Sequence, residues 1–186
     1  PLATFAMETY KDDDCKEFLP KLSGGAAAMD EKTQRLTSQL HKAIAVIQFK
    51  LESQLFKKPP EWKMKDRCLF DHIDYRKGKV EIYGKEYDMT SCHFPTIDPD
   101  NPDKLSEEEE ILIQKLHHSF MVCEKLHKHI NVMLQHGCMY AIFNNNLLFH
   151  ASCPLNEDGS LKEVEIYPGK KFSGRALMHQ TGMHIR

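Results

Sequence analysis

No apolar run in this chain approaches the ~20 residues that a membrane-spanning helix needs, so no membrane partner is expected. The opening Pro1-Leu2-Ala3-Thr4-Phe5-Ala6 lacks the charged head and long apolar stretch of a secretory signal. It also lacks an initiator Met, and the expectation is a chain cut from something longer. There is no excess of basic charge. Lys and Arg number 25 against 27 Asp and Glu, which excludes the electrostatic footprint of a nucleic-acid binder. None of the six cysteines sits in a C-x-x-C pair, and a core-rich chain of this size needs no disulfide staples. Free thiols in a reducing cytoplasm are the reading. The chain has no internal repeat.

What is present is an ordinary globular composition, 41% hydrophobic and 28% charged. The 186 residues suffice for one domain with a core, or one domain and an appendage. Residues 1–22 read as the end of a helix and a short amphipathic stretch. Ser23-Gly24-Gly25-Ala26-Ala27-Ala28 reads as a flexible joint, native or engineered. A long helix is expected over 30–58, with Asp30 as N-cap and Pro59-Pro60 as its stop. Its apolar stripe is Leu36, Leu40, Ala43, Ile44, Ile47, Leu51 and Leu55, at spacings of three and four.

The pattern then shortens. Val80-Glu81-Ile82-Tyr83 and Glu86-Tyr87-Asp88-Met89 alternate around Gly84-Lys85 and predict a small hairpin. Arg76-Lys77-Gly78 supplies a turn. Pro95, Pro99 and Pro102 mark a surface loop. Ser106-Glu107-Glu108-Glu109 is a capping box, and one helix is expected from it to His136, stopped by Gly137. Its buried stripe would be Leu112, Leu116, Phe120, Cys123, Leu126, Ile130 and Met133. Two strands, 139–143 and 147–150, follow around an Asn144-Asn145-Asn146 turn. They are apolar on both faces, which predicts a sheet covered on both sides. A third strand is expected at 164–167 and a final helix from Ser173.

Chemistry concentrates at Asn146-Leu147-Leu148-Phe149-His150-Ala151-Ser152-Cys153-Pro154. An apolar strand ends in His150, small residues follow, and the imidazole can face a metal at the sheet edge where α/β folds bind ligands. The residues alone leave open whether His150 is a ligand or a half-buried imidazole capping the strand, the commoner case. Cys153 reads as a small buried apolar residue. His117-His118 and His127-x-His129 lack the spacing of four that puts two ligands on one helix face. They, and the isolated His41, His72, His93, His136, His179 and His184, read as solvated. Asp98-Pro99-Asp100 and Asp12-Asp13-Asp14 read as solvated turns rather than cation sites. Lys170 and Lys171 precede a helix N-terminus and are candidate contacts to a substrate phosphate, although the Gly spacing is not that of a P-loop.

Three strings resemble the class III, Firmicute-type fructose-1,6-bisphosphatases. They are His41-Lys42-Ala43-Ile44-Ala45-Val46-Ile47-Gln48-Phe49-Lys50-Leu51-Glu52, Phe94-Pro95-Thr96-Ile97-Asp98-Pro99, and Asn145-Asn146-Leu147-Leu148-Phe149-His150 through Pro154-Leu155-Asn156-Glu157-Asp158-Gly159. Leu2-Ala3-Thr4-Phe5-Ala6 and Ser173-Gly174-Arg175-Ala176-Leu177-Met178 are similar too, so the resemblance runs along nearly the whole chain in family order. It implies α/β architecture with α+β character in an insertion. The fold implied is the calcineurin-like metallophosphoesterase sandwich, where two divalent metals activate water and neutralise phosphate charge. It further implies hydrolysis of fructose 1,6-bisphosphate in bacterial gluconeogenesis, with Mn²⁺ as the expected metal, and His150 as one metal ligand.

The departures are as informative. The family's Asp-x-His, Gly-Asp-x-x-Asp and Gly-Asn-His motifs are absent, and Ala151 stands where Gly usually follows the His. His179-Gln180-Thr181-Gly182-Met183-His184 is unlike the family. One His cannot hold a dinuclear site, so this chain alone is expected to be inactive. The expected division is 1–28 as helix end and joint, 29–136 as a two-helix insertion with a hairpin, and 137–186 as part of the phosphoesterase sheet. Two other readings stand beside this one. One is a non-catalytic helical module whose apolar faces drive homo-oligomerisation or partner binding. The other is a metallophosphoesterase for a different phosphate ester.

Overall fold

A computed structural model describes residues 1–13, 15–21, 30–58, 64–150 and 152–186. The Gly24-Gly25 joint, Asp14, Pro59-Pro60 and Ala151 lie outside the described residues. The chain gathers into two compact units, Pro1–Ser119 and Phe120–Arg186.

The first unit is built on two helices. Helix α1 (Leu2–Thr9) buries Ala6, and together with Tyr10, Cys15 and Ala43 it forms a small core against Leu2, Phe5 and Leu40. Helix α2 (Glu31–Lys57) starts where Asp30 accepts the Thr33 N–H at 3.0 Å and its hydroxyl at 2.6 Å. That satisfies an N–H that the first turn would leave orphaned. The buried face of α2 is not the apolar stripe read from the sequence. Ala43 and Ile47 are buried, but Ile44, Leu51 and Leu55 are exposed, while Gln39, Lys42, Lys50 and Ser53 are buried. Polar partners, Asp13 and Thr96 in facing loops and Glu109, turn the helix to this side.

Strands β1 (Ile73–Asp74), β2 (Lys79–Ile82) and β3 (Lys85–Asp88) form an antiparallel sheet in that order. The expected hairpin is present, with its turn one residue earlier, at Tyr83-Gly84. Both turn residues have positive φ, 50° and 73°, which matches the twist of a two-residue hairpin. Phe70 stacks edge-on with Phe49 and Phe94, each at 5.9 Å between centroids. Helix α3 (Glu107–Met121) opens with the expected capping box. Ser106 Oγ accepts the Glu109 N–H at 3.2 Å, and the Ser106 N–H donates to the Glu109 carboxylate at 2.8 Å.

The single helix expected over 106–136 is two. Helix α3 ends at Met121, Cys123 is extended, and α4 runs over Glu124–His136. Neither Pro nor Gly marks the break. Val122 is β-branched and Cys123 a weak helix former. Beyond Leu112 the expected stripe finds little cover, since Phe120, Ile130 and Met133 are exposed and Leu116 and Leu126 only half-buried. Packing therefore does not hold the weak link closed.

In the second unit α4 ends at Gly137, whose N–H donates to the Met133 carbonyl at 2.8 Å. A Cβ at Gly137 would stand 2.3 Å from that same oxygen, so the close approach requires glycine. Strands β4 (Tyr140–Phe143) and β5 (Asn146–Phe149) pair around Asn144 and Asn145, at φ 48° and 63°. The strands are as expected, but their cover is not. Apart from half-buried Tyr140, every residue of the pair is exposed, Phe143 at 67%. Strand β6 (Val164–Tyr167) pairs with β7 (Lys170–Phe172), a strand the sequence did not announce, through a turn at Gly169. Helix α5 (Gly174–Ile185) follows Ser173 as expected and packs on β6 and β7.

Candidate functional site

His150 follows the last residue of β5 directly, and its side chain is exposed. The strand fixes its backbone. Among the described residues the His150 imidazole has no hydrogen-bond partner. Cys153, expected to be buried, is only half-buried. Lys170 and Lys171 are exposed, but they are strand residues of β7 and not part of a loop before a helix. Lys171 stands opposite Glu165 in the β6–β7 register. Neither lysine is aimed by a helix N-terminus, the feature that suggested phosphate binding.

Among the described residues, no three His, Cys, Asp or Glu side chains gather where they could hold a metal ion. The described residues therefore do not by themselves fit the dinuclear centre that the resemblance implies. The helical histidines His117, His118, His127 and His129 are exposed, as read. At Asp98-Pro99-Asp100 the Asp98 carboxylate accepts the Asp100 N–H at 3.0 Å, an ordinary Asx turn.

The most constrained side chains include two lysines of α2 that were not singled out from the sequence, and Asp13, which was expected in a solvated turn but is only 13% exposed and ion-paired. Lys42 and Lys50 lie two turns apart on one face of α2, and both are buried. Lys42 Nζ sits 2.6 Å from Asp13 Oδ2, with the rings of Tyr10, Phe18 and Phe94 around it at 5.3–5.7 Å. His93 Nδ1 approaches the same Asp13 oxygen at 3.1 Å. Burial alone would raise the Asp13 carboxyl, but the Lys42 ammonium, the Cys15 N–H and His93 hold it well below the usual carboxylate range. Burial, followed by the nearby Glu109 charge, pushes the Tyr10 hydroxyl far above its ordinary value, so it stays neutral.

Lys50 Nζ lies 2.7 Å from Glu109 Oε2 and also donates to the Thr96 carbonyl. Glu109 is thus both the capping-box partner of Ser106 and the counter-ion of Lys50. Its other oxygen, Oε1, is buried with no hydrogen-bond partner among the described residues. Gln39 completes the ladder by donating to the Tyr10 carbonyl at 2.8 Å. These contacts tie α1, α2, α3 and the 94–99 loop together. They neutralise both lysines, so the ladder is a structural clamp and not an anion site. The signal in the sequence was a lysine four residues to either side of Val46, on the helix face that also buries Ala43 and Ile47.

Two of the strings that carry the family resemblance, 41–52 and 94–99, are therefore in direct contact through Lys50 and Thr96 and through Lys42 and Phe94. The third holds β5 and His150. Comparison with known sequences gives that resemblance its weight. The sequence profile of the Firmicute fructose-1,6-bisphosphatase family matches residues 1–186, and the chain belongs to this family. It is 51% identical over 186 residues to a class 3 fructose-1,6-bisphosphatase from Parabacteroides distasonis, covering 100% of this chain and 28% of that protein. A relative of the same description from Bacteroides thetaiotaomicron is 48% identical over 186 residues, again covering 100% of this chain and 28% of the relative. One from Clostridium novyi is 47% identical over 178 residues, covering 96% of this chain and 26% of the relative. The chain thus spans about 28% of the length of the curated relatives it matches. No solved structure matches it.

Proposed function

We propose that this chain is one part of a class 3 fructose-1,6-bisphosphatase, a metal-dependent phosphoric monoester hydrolase that converts fructose 1,6-bisphosphate to fructose 6-phosphate and phosphate. The observation that carries the reading is the 51% identity to a protein of that description along all 186 residues. In this reading the β4–β5 hairpin belongs to a calcineurin-like sandwich whose other strands lie outside these residues. The exposure of its apolar faces supports that assignment over a self-standing helical module, which would bury them.

His150 supplies one ligand to a divalent metal centre, with Mn²⁺ as the metal, and the remaining ligands come from outside this chain. The metal would supply Lewis-acid chemistry at the phosphate. Lys170 and Lys171, exposed on β7, are available to the substrate's phosphate groups as solvated cations. The enzyme acts in the cytoplasm, in gluconeogenesis. No helix among the described residues is long and apolar enough to cross a membrane, and Cys68, Cys92, Cys123, Cys138 and Cys153 are free thiols, which suits a reducing compartment.

The test is a chimera: the Parabacteroides distasonis relative with this chain in place of its own matching stretch. The chimera with Mn²⁺ is expected to release phosphate from fructose 1,6-bisphosphate, and the 186-residue chain alone is expected to release none. Release from other sugar phosphates but not from this one would overturn the substrate.

A further inference from the structure

Helix α5 carries a stretch that the proposed function leaves unused, Met178-His179-Gln180-Thr181-Gly182-Met183-His184. His179 and Met183 are four residues apart, so they share a helix face. The same helix meets the chain just after α4. A Cβ at Gly182 would stand 3.4 Å from Met139 Cγ, so Met139 lies close against the helix surface. Cys138, Met139, Met178, His179 and Met183 thereby line one crevice of about 80 Å³. Arg186 lines it too, with its guanidinium donating to the Gly137 carbonyl. Among the described residues no carboxylate does.

Packing does not account for this much sulfur. Methionine commonly fills gaps in a core, but Met139 is 41% and Met183 56% exposed. Cys138 is a free, exposed thiol, and His179 is exposed. His184, by contrast, is engaged edge-on with the Tyr167 ring at 5.8 Å between centroids. A thiolate, an imidazole and thioethers make a soft donor set, which selects Cu⁺. Mn²⁺ and Mg²⁺ favour carboxylate and carbonyl oxygen, which this crevice does not present in its side chains. A structural Zn²⁺ site takes four Cys or His ligands, and the crevice offers two. The Arg186 charge beside it also penalises a divalent ion more than a monovalent one.

We propose that this crevice binds one Cu⁺ ion through the Cys138 thiolate, the His179 imidazole and the Met183 thioether, with Met139 and Met178 as further sulfur in its wall. Binding forms a copper–sulfur bond and releases the Cys138 thiol proton to solvent. Copper enters and stays in the cuprous state, so no electron is transferred. The site lies wholly within the second unit and does not include His150. The inference does not rest on the phosphatase reading.

The test is the rate of Cys138 alkylation, read by peptide mass spectrometry, in the chimera described above. It is run under argon with no metal, or with one equivalent of Cu⁺, Zn²⁺ or Mn²⁺. Cu⁺ is expected to slow alkylation of Cys138 by about 10-fold or more, because a metal-bound thiolate is no longer a free nucleophile. Exposed Cys123 is expected to react as before, and Zn²⁺ and Mn²⁺ to leave Cys138 reactive. Met183→Leu keeps the size of the side chain and removes its sulfur. It is expected to restore most of the Cys138 reactivity in the presence of Cu⁺, as is His179→Gln at its exposed position. Equal protection of Cys138 and Cys123 overturns the proposal, since it marks binding to any open thiol. Protection that survives both substitutions overturns it too, as does protection by Zn²⁺ equal to that by Cu⁺, or a Cys138 that is unreactive without metal. Phosphatase activity of the chimera bears on none of these outcomes, so the copper site and the functional reading fail separately.

Discussion

Lys50 and Glu109 form an ion pair at 2.7 Å, with side-chain exposures of 0% and 1%. The pair joins the middle of α2 to the first turn of α3, 59 residues away in sequence. Two charges taken out of water are retained only because each has its partner. Glu109→Leu or Lys50→Met alone is therefore expected to destabilise the first unit by roughly 3–5 kcal/mol, since the other charge stays buried and unpaired. The double variant is expected to recover most of that loss. Denaturant midpoints for the two single variants and the double variant check it, and an additive double variant would contradict the pairing.

Asp13 gives a pH dependence with a definite sign. Its folded carboxyl is held below the ordinary value of ~3.9 by Lys42, the Cys15 N–H and His93 against the opposing effect of burial. A depressed folded pKa contributes stability that is fully present above the unfolded value and is lost as pH falls below it. Asp13→Asn is therefore expected to cost stability at pH 7, and its deficit to shrink steadily below about pH 4. Thermal melts of both proteins across pH 2.5–7 (about that range) measure the difference. A deficit that grows toward acid pH would contradict the account.

Tyr83 occupies the left-handed region at the tip of the β2–β3 hairpin, at φ 50° and 93% exposed. A β-carbon is costly there, and Asn tolerates the region best among non-glycine residues. Tyr83→Asn is expected to stabilise the hairpin by about 1 kcal/mol, because so exposed a ring contributes little packing. A rise in the unfolding midpoint checks it.

Gly137 is a case of steric necessity at normal φ. A Cβ would collide with the Met133 carbonyl that the Gly137 N–H also binds. Gly137→Ala is expected to fray the last turn of α4, seen as faster amide exchange at Gln135 and His136, while leaving the β6–β7 hairpin unchanged.

The parts of the fold legible in the sequence were those that local chemistry decides. The Asp30 cap, the Ser106–Glu109 capping box, the Asn144-Asn145 turn and the start of α5 after Ser173 each rest on interactions within a few residues. The parts that escaped depend on distant partners. The buried face of α2 is set by Asp13, Thr96 and Glu109, none of which periodicity can see. The break at Val122-Cys123 follows from a stripe that finds little to pack on, although its spacing looks like a core. The expected cover of β4 and β5 fails among the described residues for a related reason. The pattern reads as a two-sided strand, but, half-buried Tyr140 apart, no described residue covers either face. His150 was placed at a strand end from its flanking residues, and the structure puts it there, exposed. No further metal ligand was legible, because this sequence carries none of the Asp-x-His, Gly-Asp-x-x-Asp or Gly-Asn-His motifs.

The central claim is that His150 binds a metal on which phosphatase activity depends. The direct measurement is Mn²⁺ content and fructose 1,6-bisphosphate hydrolysis in the chimera, with and without His150→Ala. The account predicts that the variant stays folded, loses metal affinity by about 10-fold or more and loses most of its activity. A His150→Ala chimera that binds Mn²⁺ and turns over substrate like its parent would show that His150 is no ligand.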